Sequence, residues 1–251
     1  MNNQTNISSI KLYDIGSRLD PQPSSPNTLK ARIALNIKGI PYETEWLDFF
    51  EIHSVIPNVT KTGKKPTLPV IVDMKNQDCA VQDSWEIVKY LDLSYPDTPT
   101  LINKDNEGLE FFFYQYCHER ILMHAFSLCV LSILNNYDTP QKQKEFRGYM
   151  EGRFGTTLET LAGNPSDHVA ALKSQLVLIH DTLKIYPYLT GEKVGMADVT
   201  LASFYTMVAT LRGDIFETAL LDAFPDTVLR TWWGRMEKYT KLSPPSIDSR
   251  L

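Results

Sequence analysis

The hydrophobic period of this chain changes once, and that change constrains its architecture more than any other feature. Residues 10–97 alternate strand-like and helix-like segments, whereas everything after about Gly108 carries helical periodicity. Ile10–Ile15 is an apolar strand-like run. Pro26–Lys38 has helical spacing and stops at Gly39, a residue suited to a left-handed C-cap. Tyr42–Leu47 alternates with period two, as a half-buried strand does. A loop with room for a short helix covers residues 49–65. Residues 68–72 and 79–81 read as two further strands, and residues 83–95 as a helix with Ile87, Tyr90 and Leu91 on one face. The order is β-α-β-(α)-β-β-α, and Pro96 and Pro99 mark a linker. The predicted organisation is a flexible polar tail over residues 1–9, an α/β domain over 10–97, a linker over 98–107 and an all-helical domain over 108–251. Helix starts are expected at Thr139-Pro140 and Asn164-Pro165.

Charge and cysteine usage narrow the function classes. The 251 residues carry a net charge of −5, and the only basic cluster is Lys61, Lys64 and Lys65. Phosphate binding needs a larger basic surface, so nucleic acid is not expected as a partner. No apolar run reaches membrane-spanning length, and the first nine residues lack the apolar core of a secretion signal. No membrane association is expected, and the predicted location is cytoplasmic. Cys79, Cys117 and Cys129 are odd in number and form no C-x-x-C pair, which fits reduced thiols. The five histidines show no metal-ligand spacing, and no metal site is expected.

Three short motifs carry the chemistry. The first is Ser24-Ser25-Pro26. Ser25 suits an N-cap and Pro26 the first helical position, so a hydroxyl stands where a helix presents free N–H groups and its positive dipole end. Such a place favours an anion, including a thiolate. Taken alone, an ordinary helix start is the commoner reading. The second motif is Leu68-Pro69, at the start of a strand, where a proline is tolerated. A cis bond there would turn the Leu68 backbone outward towards a bound peptide. The third is Asp83-Ser84 before a helix, placed to hold an ammonium and a carboxylate group, or simply to cap the helix.

In this order and frame, the chain resembles the cytosolic glutathione transferases over nearly its whole length. Ser25-Pro26, Lys30, Arg32 and the run Ile37-Lys38-Gly39-Ile40-Pro41-Tyr42 resemble that family's first helix and second strand. Leu68-Pro69 resembles its cis-proline strand, and Asp83-Ser84 its acidic-serine motif. The segment with Tyr95-Pro96-Asp97-Thr98-Pro99 is most similar to the fungal etherase-related serine-type subgroup. Gly195-Met196-Ala197-Asp198-Val199 resembles the family's helix-capping motif, with glycine in place of the usual Ser or Thr. The resemblance implies a thioredoxin-like domain with a mixed four-stranded sheet, followed by a helical bundle, and a homodimer.

It also implies roles. Ser25 would donate to the glutathione sulfur, with Ser24 as its competitor. Leu68, beside Pro69, would pair with the cysteinyl unit, and Asp83 and Ser84 would hold the γ-glutamyl end. Lys65 or Lys64 would meet the glycyl carboxylate, with His53 as an alternative. A hydrophobic electrophile would lie between the domains, against Phe113, Tyr116 and Arg120 and the loop over residues 16–24. Glutathione is the expected cofactor. The implied reaction is thiolate attack giving conjugation, or reversible addition with cis–trans olefin isomerisation, in fungal secondary metabolism. The alternative is a non-catalytic carrier of aromatic metabolites.

Overall fold

The computed structural model describes residues 9–16 and 22–243. Most of the expected tail and part of the expected loop wall, residues 1–8 and 17–21, lie outside them. Ser9 already belongs to the folded body: it is buried, and its carbonyl accepts from the Met74 N–H at 2.9 Å.

Four strands form one mixed sheet in the order β2-β1-β3-β4. They are β1 (Ile10–Ile15), β2 (Tyr42–Leu47), β3 (Val70–Asp73) and β4 (Cys79–Gln82). β1 and β2 are parallel because helix α1 (Pro26–Lys38) carries the chain back between them. β3 and β4 run antiparallel to their neighbours. Alternation sorts the two faces. Ile10 and Leu12 pack with Ile71 against α1 and α3 (Ser84–Ser94). Tyr13 and Ile15 join Leu47 and Val70 under α2 (Ile52–Thr60), which fills the segment expected to be mostly loop.

The helix α1 is buried along nearly its whole length, polar residues included. Arg32 is sealed from solvent and meets Asp14 of β1 at 2.7 Å. The burial opposes the Arg32 charge, but Asp14 and Tyr42 outweigh it and raise the pKa. The same guanidinium donates to the Tyr42 hydroxyl, the Thr44 hydroxyl and the Leu242 carbonyl. Asn36 donates to the carbonyls of Tyr239 and Lys241. The last described residues therefore strap the first helix. Gly39 ends α1 at φ 65°, as its position in the sequence predicts.

Lys38 and Asp92 form a second buried pair, 2.7 Å apart. Asp92 also accepts from the N–H groups of Leu101 and Ile102, which fixes the linker. The helical domain then follows: α4 (Glu107–Tyr116), α5 (Leu122–Asn135), α6 (Pro140–Phe154), α7 (Leu158–Ala162), α8 (Pro165–Ile185), α9 (Met196–Leu211), α10 (Gly213–Phe216) and α11 (Val228–Met236). Thr139 and Asn164 cap α6 and α8 through their side chains, with proline at the first turn as expected. A π turn, Cys117–Ile121, joins α4 to α5. The resulting run Lys104–Asn135 is long and apolar enough to cross a membrane by length and composition, contrary to the sequence reading. Here its α5 part packs on α7, α8 and α9.

At the start of α9, Asp198 is buried and bonded on every side. It accepts from the N–H groups of Leu189 and Gly195, the Thr190 hydroxyl and the Trp232 indole. Burial raises its pKa, and those donors oppose the rise. The glycine at the cap has a steric cause. A Cβ on Gly195 would come within 2.6 Å of Thr190 Cγ2.

Candidate functional site

Sheet topology gathers the three motifs at one end. Tyr13, Val70 and Gln82 are register partners across β1, β3 and β4. The end of β1, the start of β3 and the end of β4 therefore share one rung. The loop after β1 leads to the start of α1, so Ser25 lies at this end. Pro69 immediately precedes β3, and Asp83 immediately follows β4.

Ser25 is the N-cap residue of α1, with extended backbone at φ −78° and ψ 119°. Its carbonyl starts the helix by accepting from Leu29, but its hydroxyl makes no capping bond. Ser24 and Ser25 are both half-buried. The Leu68–Pro69 bond is cis. Gln82 fastens the loop before β3, donating to the Lys65 carbonyl at 2.8 Å and the Thr67 hydroxyl at 2.7 Å. Lys64, Lys65 and His53 are exposed on that side.

Asp83 adopts φ 88°, a conformation that costs a non-glycine residue on the order of 1–3 kcal/mol. One of its oxygens caps α3 by accepting from Trp85 and Glu86, and the residue stays exposed. Ser84 is buried, and its hydroxyl lies 3.1 Å from that of Tyr114 on α4. Burial raises the Tyr114 pKa, so it remains a neutral phenol.

The face of α4 that meets the α/β domain is not the one predicted. Tyr116 turns to α8, where its hydroxyl donates to the Gln175 carbonyl at 2.8 Å. Phe113 packs beside it, with ring centroids 6.1 Å apart, and Arg120 is exposed in the π turn. The residues facing α1 and α3 are Phe111, Tyr114 and His118, which have the same helical spacing in a different register. Trp85 contacts the rings of Phe111 and Tyr114 at 5.0 and 5.4 Å. The His118 ring lies tilted against that of Tyr114, centroids 4.6 Å apart, and meets Lys30 of α1 at 2.8 Å. Burial, then the neighbouring Lys30, lower the His118 pKa to about 4, so the ring is neutral near pH 7.

A second closure was absent from the sequence reading. Phe49 and Phe50, just after β2, reach the helical domain. Phe49 meets Phe146 and Tyr149 of α6, and Phe50 meets Tyr137. Lys142 on α6 pairs with Asp48 at 2.8 Å. The adjacent aromatics Phe49-Phe50 are the signal that marks such an anchor.

Two family models match this chain, one on either side of residues 100–107. The glutathione S-transferase N-terminal domain matches residues 22–99, and the glutathione S-transferase C-terminal domain residues 108–239. The chain belongs to the glutathione S-transferase family. This transferase is 31% identical to glutathione transferase GSTFuA3 from Phanerochaete chrysosporium, with a TM-score of 0.79 over 94% of this chain and 98% of that one. A glutathione S-transferase of Ceriporiopsis subvermispora, solved in complex with glutathione, is 28% identical, with a TM-score of 0.80 over 95% and 99%. The glutathione S-transferase-like protein ustS of Aspergillus flavus is 27% identical, covering 80% of each chain.

Proposed function

We propose that this transferase binds glutathione at the Ser25 end of the sheet and uses the Ser25 hydroxyl to stabilise its thiolate. The observation that carries the reading is that this hydroxyl, at the start of α1, is not spent on capping the helix. It can donate to sulfur beside the free N–H groups and the dipole of the first turn. The cis Pro69 turn and the exposed Asp83 carboxylate, on the same rung, suit the peptide and ammonium groups of the tripeptide. The Ser84 hydroxyl, 3.1 Å from that of Tyr114, can accept from the phenol and turn its own proton to the γ-glutamyl carboxylate. Lys65 or Lys64 serves the glycyl carboxylate. The buried, unpartnered Oε1 of Gln82 adds an acceptor near that loop.

A thiol of pKa about 8.5 is only about 3% ionised at pH 7, and lowering it by about two units makes it mostly thiolate. The thiol gives up its proton, and the sulfur pair forms a bond to an electrophilic carbon. Either a leaving group departs or, on a conjugated olefin, glutathione is later expelled with the double bond isomerised. The similarity to the Aspergillus flavus protein ustS and to the Phanerochaete and Ceriporiopsis transferases supports a fungal relationship; etherase-related chemistry and a place in secondary metabolism are part of this proposal. Phe111, Phe112, Leu109 and Leu93, exposed on neighbouring helices, support a homodimer. Reduced cysteines support a cytoplasmic location.

The test is titration with glutathione, followed by the ultraviolet absorbance of the bound thiolate against pH. Ser25→Ala should retain affinity within a few-fold, raise the bound thiol pKa and cut turnover at pH 7 by about tenfold or more. Identical thiol titration in both proteins refutes the role of Ser25. A lowered thiol pKa without turnover of any enone, epoxide or aryl ether favours the carrier of aromatic metabolites.

A further inference from the structure

Lys30 is a lysine with no surface. It is 0% exposed, lodged between α1 and the junction of α4 and α5. Its hydrogen-bond partners are neutral: Asn27 Oδ1 at 3.0 Å and the His118 ring nitrogen Nε2 at 2.8 Å. The faces of Tyr114 and Phe204 lie 4.9 and 5.5 Å from Nζ. Among the described residues, no carboxylate stands within ion-pair distance. A buried ammonium without a counter-ion is costly, by several kcal/mol. Burial accordingly lowers the Lys30 pKa to about 7, while Cys117 and Asp83 pull weakly the other way.

The position of the charge gives it a use. Side chains of a helix lean towards its N-terminus. The bond to Asn27 shows that Lys30 does so, laying Nζ along the first turn that Ser25 opens. Tyr114, whose ring Nζ faces, is the residue bonded to Ser84. Asp83 acts on Nζ from the turn between β4 and α3. The groups facing the ammonium are thus Asn27 from its own helix, Tyr114 from α4, Cys117 and His118 from the π turn, Phe204 from α9 and Asp83. All of them except Asp83 are neutral, so among these groups only Asp83, at the turn between β4 and α3, offsets the field that a proton on Nζ casts on the site.

We propose that Lys30 is the built-in counter-charge for the thiolate of bound glutathione. It acts through space and does not touch the ligand. Thiolate formation and Lys30 protonation favour each other, so a proton leaving the thiol is balanced by one retained on Nζ. The proposal rests on the glutathione reading above. It adds a second source of thiol activation, independent of the Ser25 hydroxyl.

The experiment titrates the bound thiolate from pH 5 to pH 10 in wild type, Lys30→Met and Lys30→Arg. It also measures affinity for S-methylglutathione, which has no ionisable thiol. Methionine matches the length and suits the apolar cavity, so Lys30→Met should fold. A unit charge in a poorly solvated site shifts a neighbouring titration by about one pH unit. Lys30→Met should therefore raise the thiol midpoint by about that amount, leaving about tenfold less thiolate at pH 6. Its affinity for S-methylglutathione should stay within about threefold. Lys30→Arg should keep the wild-type midpoint, and if it does not fold, the methionine variant decides alone. An unchanged midpoint in Lys30→Met overturns the proposal and leaves the glutathione reading standing. Equal losses with glutathione and S-methylglutathione overturn it too, because they mark a packing role. If the wild type binds neither ligand, both readings fall.

Discussion

The Ser84 hydroxyl lies 3.1 Å from the Tyr114 hydroxyl, across the boundary between the two domains, and both residues are buried. The acidic-serine motif is thereby held by the helical domain as well as by its own. Tyr114→Phe should leave Ser84 without its partner, a loss of about 1–3 kcal/mol for a buried polar group. We expect glutathione affinity to fall several-fold in calorimetry while the pH midpoint of the bound thiol stays in place. Unaltered affinity would show that Ser84 needs no support from α4.

Gly195→Ala places a Cβ within 2.6 Å of Thr190 Cγ2. Overpacking of this kind costs about 1–3 kcal/mol. The expected outcome in urea unfolding is a lower midpoint at constant slope. Combining it with Thr190→Ala should recover part of the loss, though the hydroxyl bond to Asp198 is then gone. Stabilisation by Gly195→Ala would contradict the steric account.

Removing the buried charge of Lys30 gives a pH-dependent stability change of definite sign. Unfolded lysine titrates near 10.5 and the folded one near 7, so the unfolded chain binds more protons between those values. Stability of the wild type from this group therefore rises with pH across that window and is lost as pH falls through 7. Lys30→Met should be more stable than wild type at pH 6, with the advantage shrinking towards pH 10. Thermal unfolding at several pH values measures it, and a constant difference would refute the burial of a titrating amine.

Leu109 and Phe112 are 71% and 69% exposed and stand three residues apart on one face of α4. Phe112→Glu should convert a dimer into a monomer in analytical ultracentrifugation, with near-normal helix content. A monomeric wild type would remove this reading of the patch.

Arg32→Met leaves Asp14 buried with its ion-pair partner gone. Breaking such a pair costs about 3–5 kcal/mol. A double variant that also replaces Asp14 with Leu should regain much of it, and additive losses would show that the two residues are not coupled.

Much of this arrangement was legible in the sequence because each signal was local. Pro26 and Gly39 bound α1, the alternation in Tyr42–Leu47 marks β2, and Thr139 and Asn164 announce their helices. The shared position of the three motifs follows from equally local signals: Ser25, Pro69 and Asp83 sit at element boundaries, and topology brings those boundaries to one end. The face of α4 was not. Five aromatic residues between Phe111 and Tyr116 satisfy several helical registers at once, so spacing could not choose Phe111, Tyr114 and His118 over Phe113, Tyr116 and Arg120. Lys30 was visible only as a motif residue, since nothing local distinguishes a buried lysine from an exposed one. The anchoring of Phe49 on α6 and of Phe50 on Tyr137 depends on residues about ninety to a hundred positions away.

The strap from Tyr239 to Leu242 has a consequence for how the protein is made. Arg32 and Asn36 on α1 depend on carbonyl groups that are synthesised some two hundred residues after them. The α/β domain is translated before them and waits, with part of its polar interior unanswered, until residues 239–242 have followed. A stop near residue 238 would therefore injure α1, and its damage would be felt some two hundred residues upstream of the lesion.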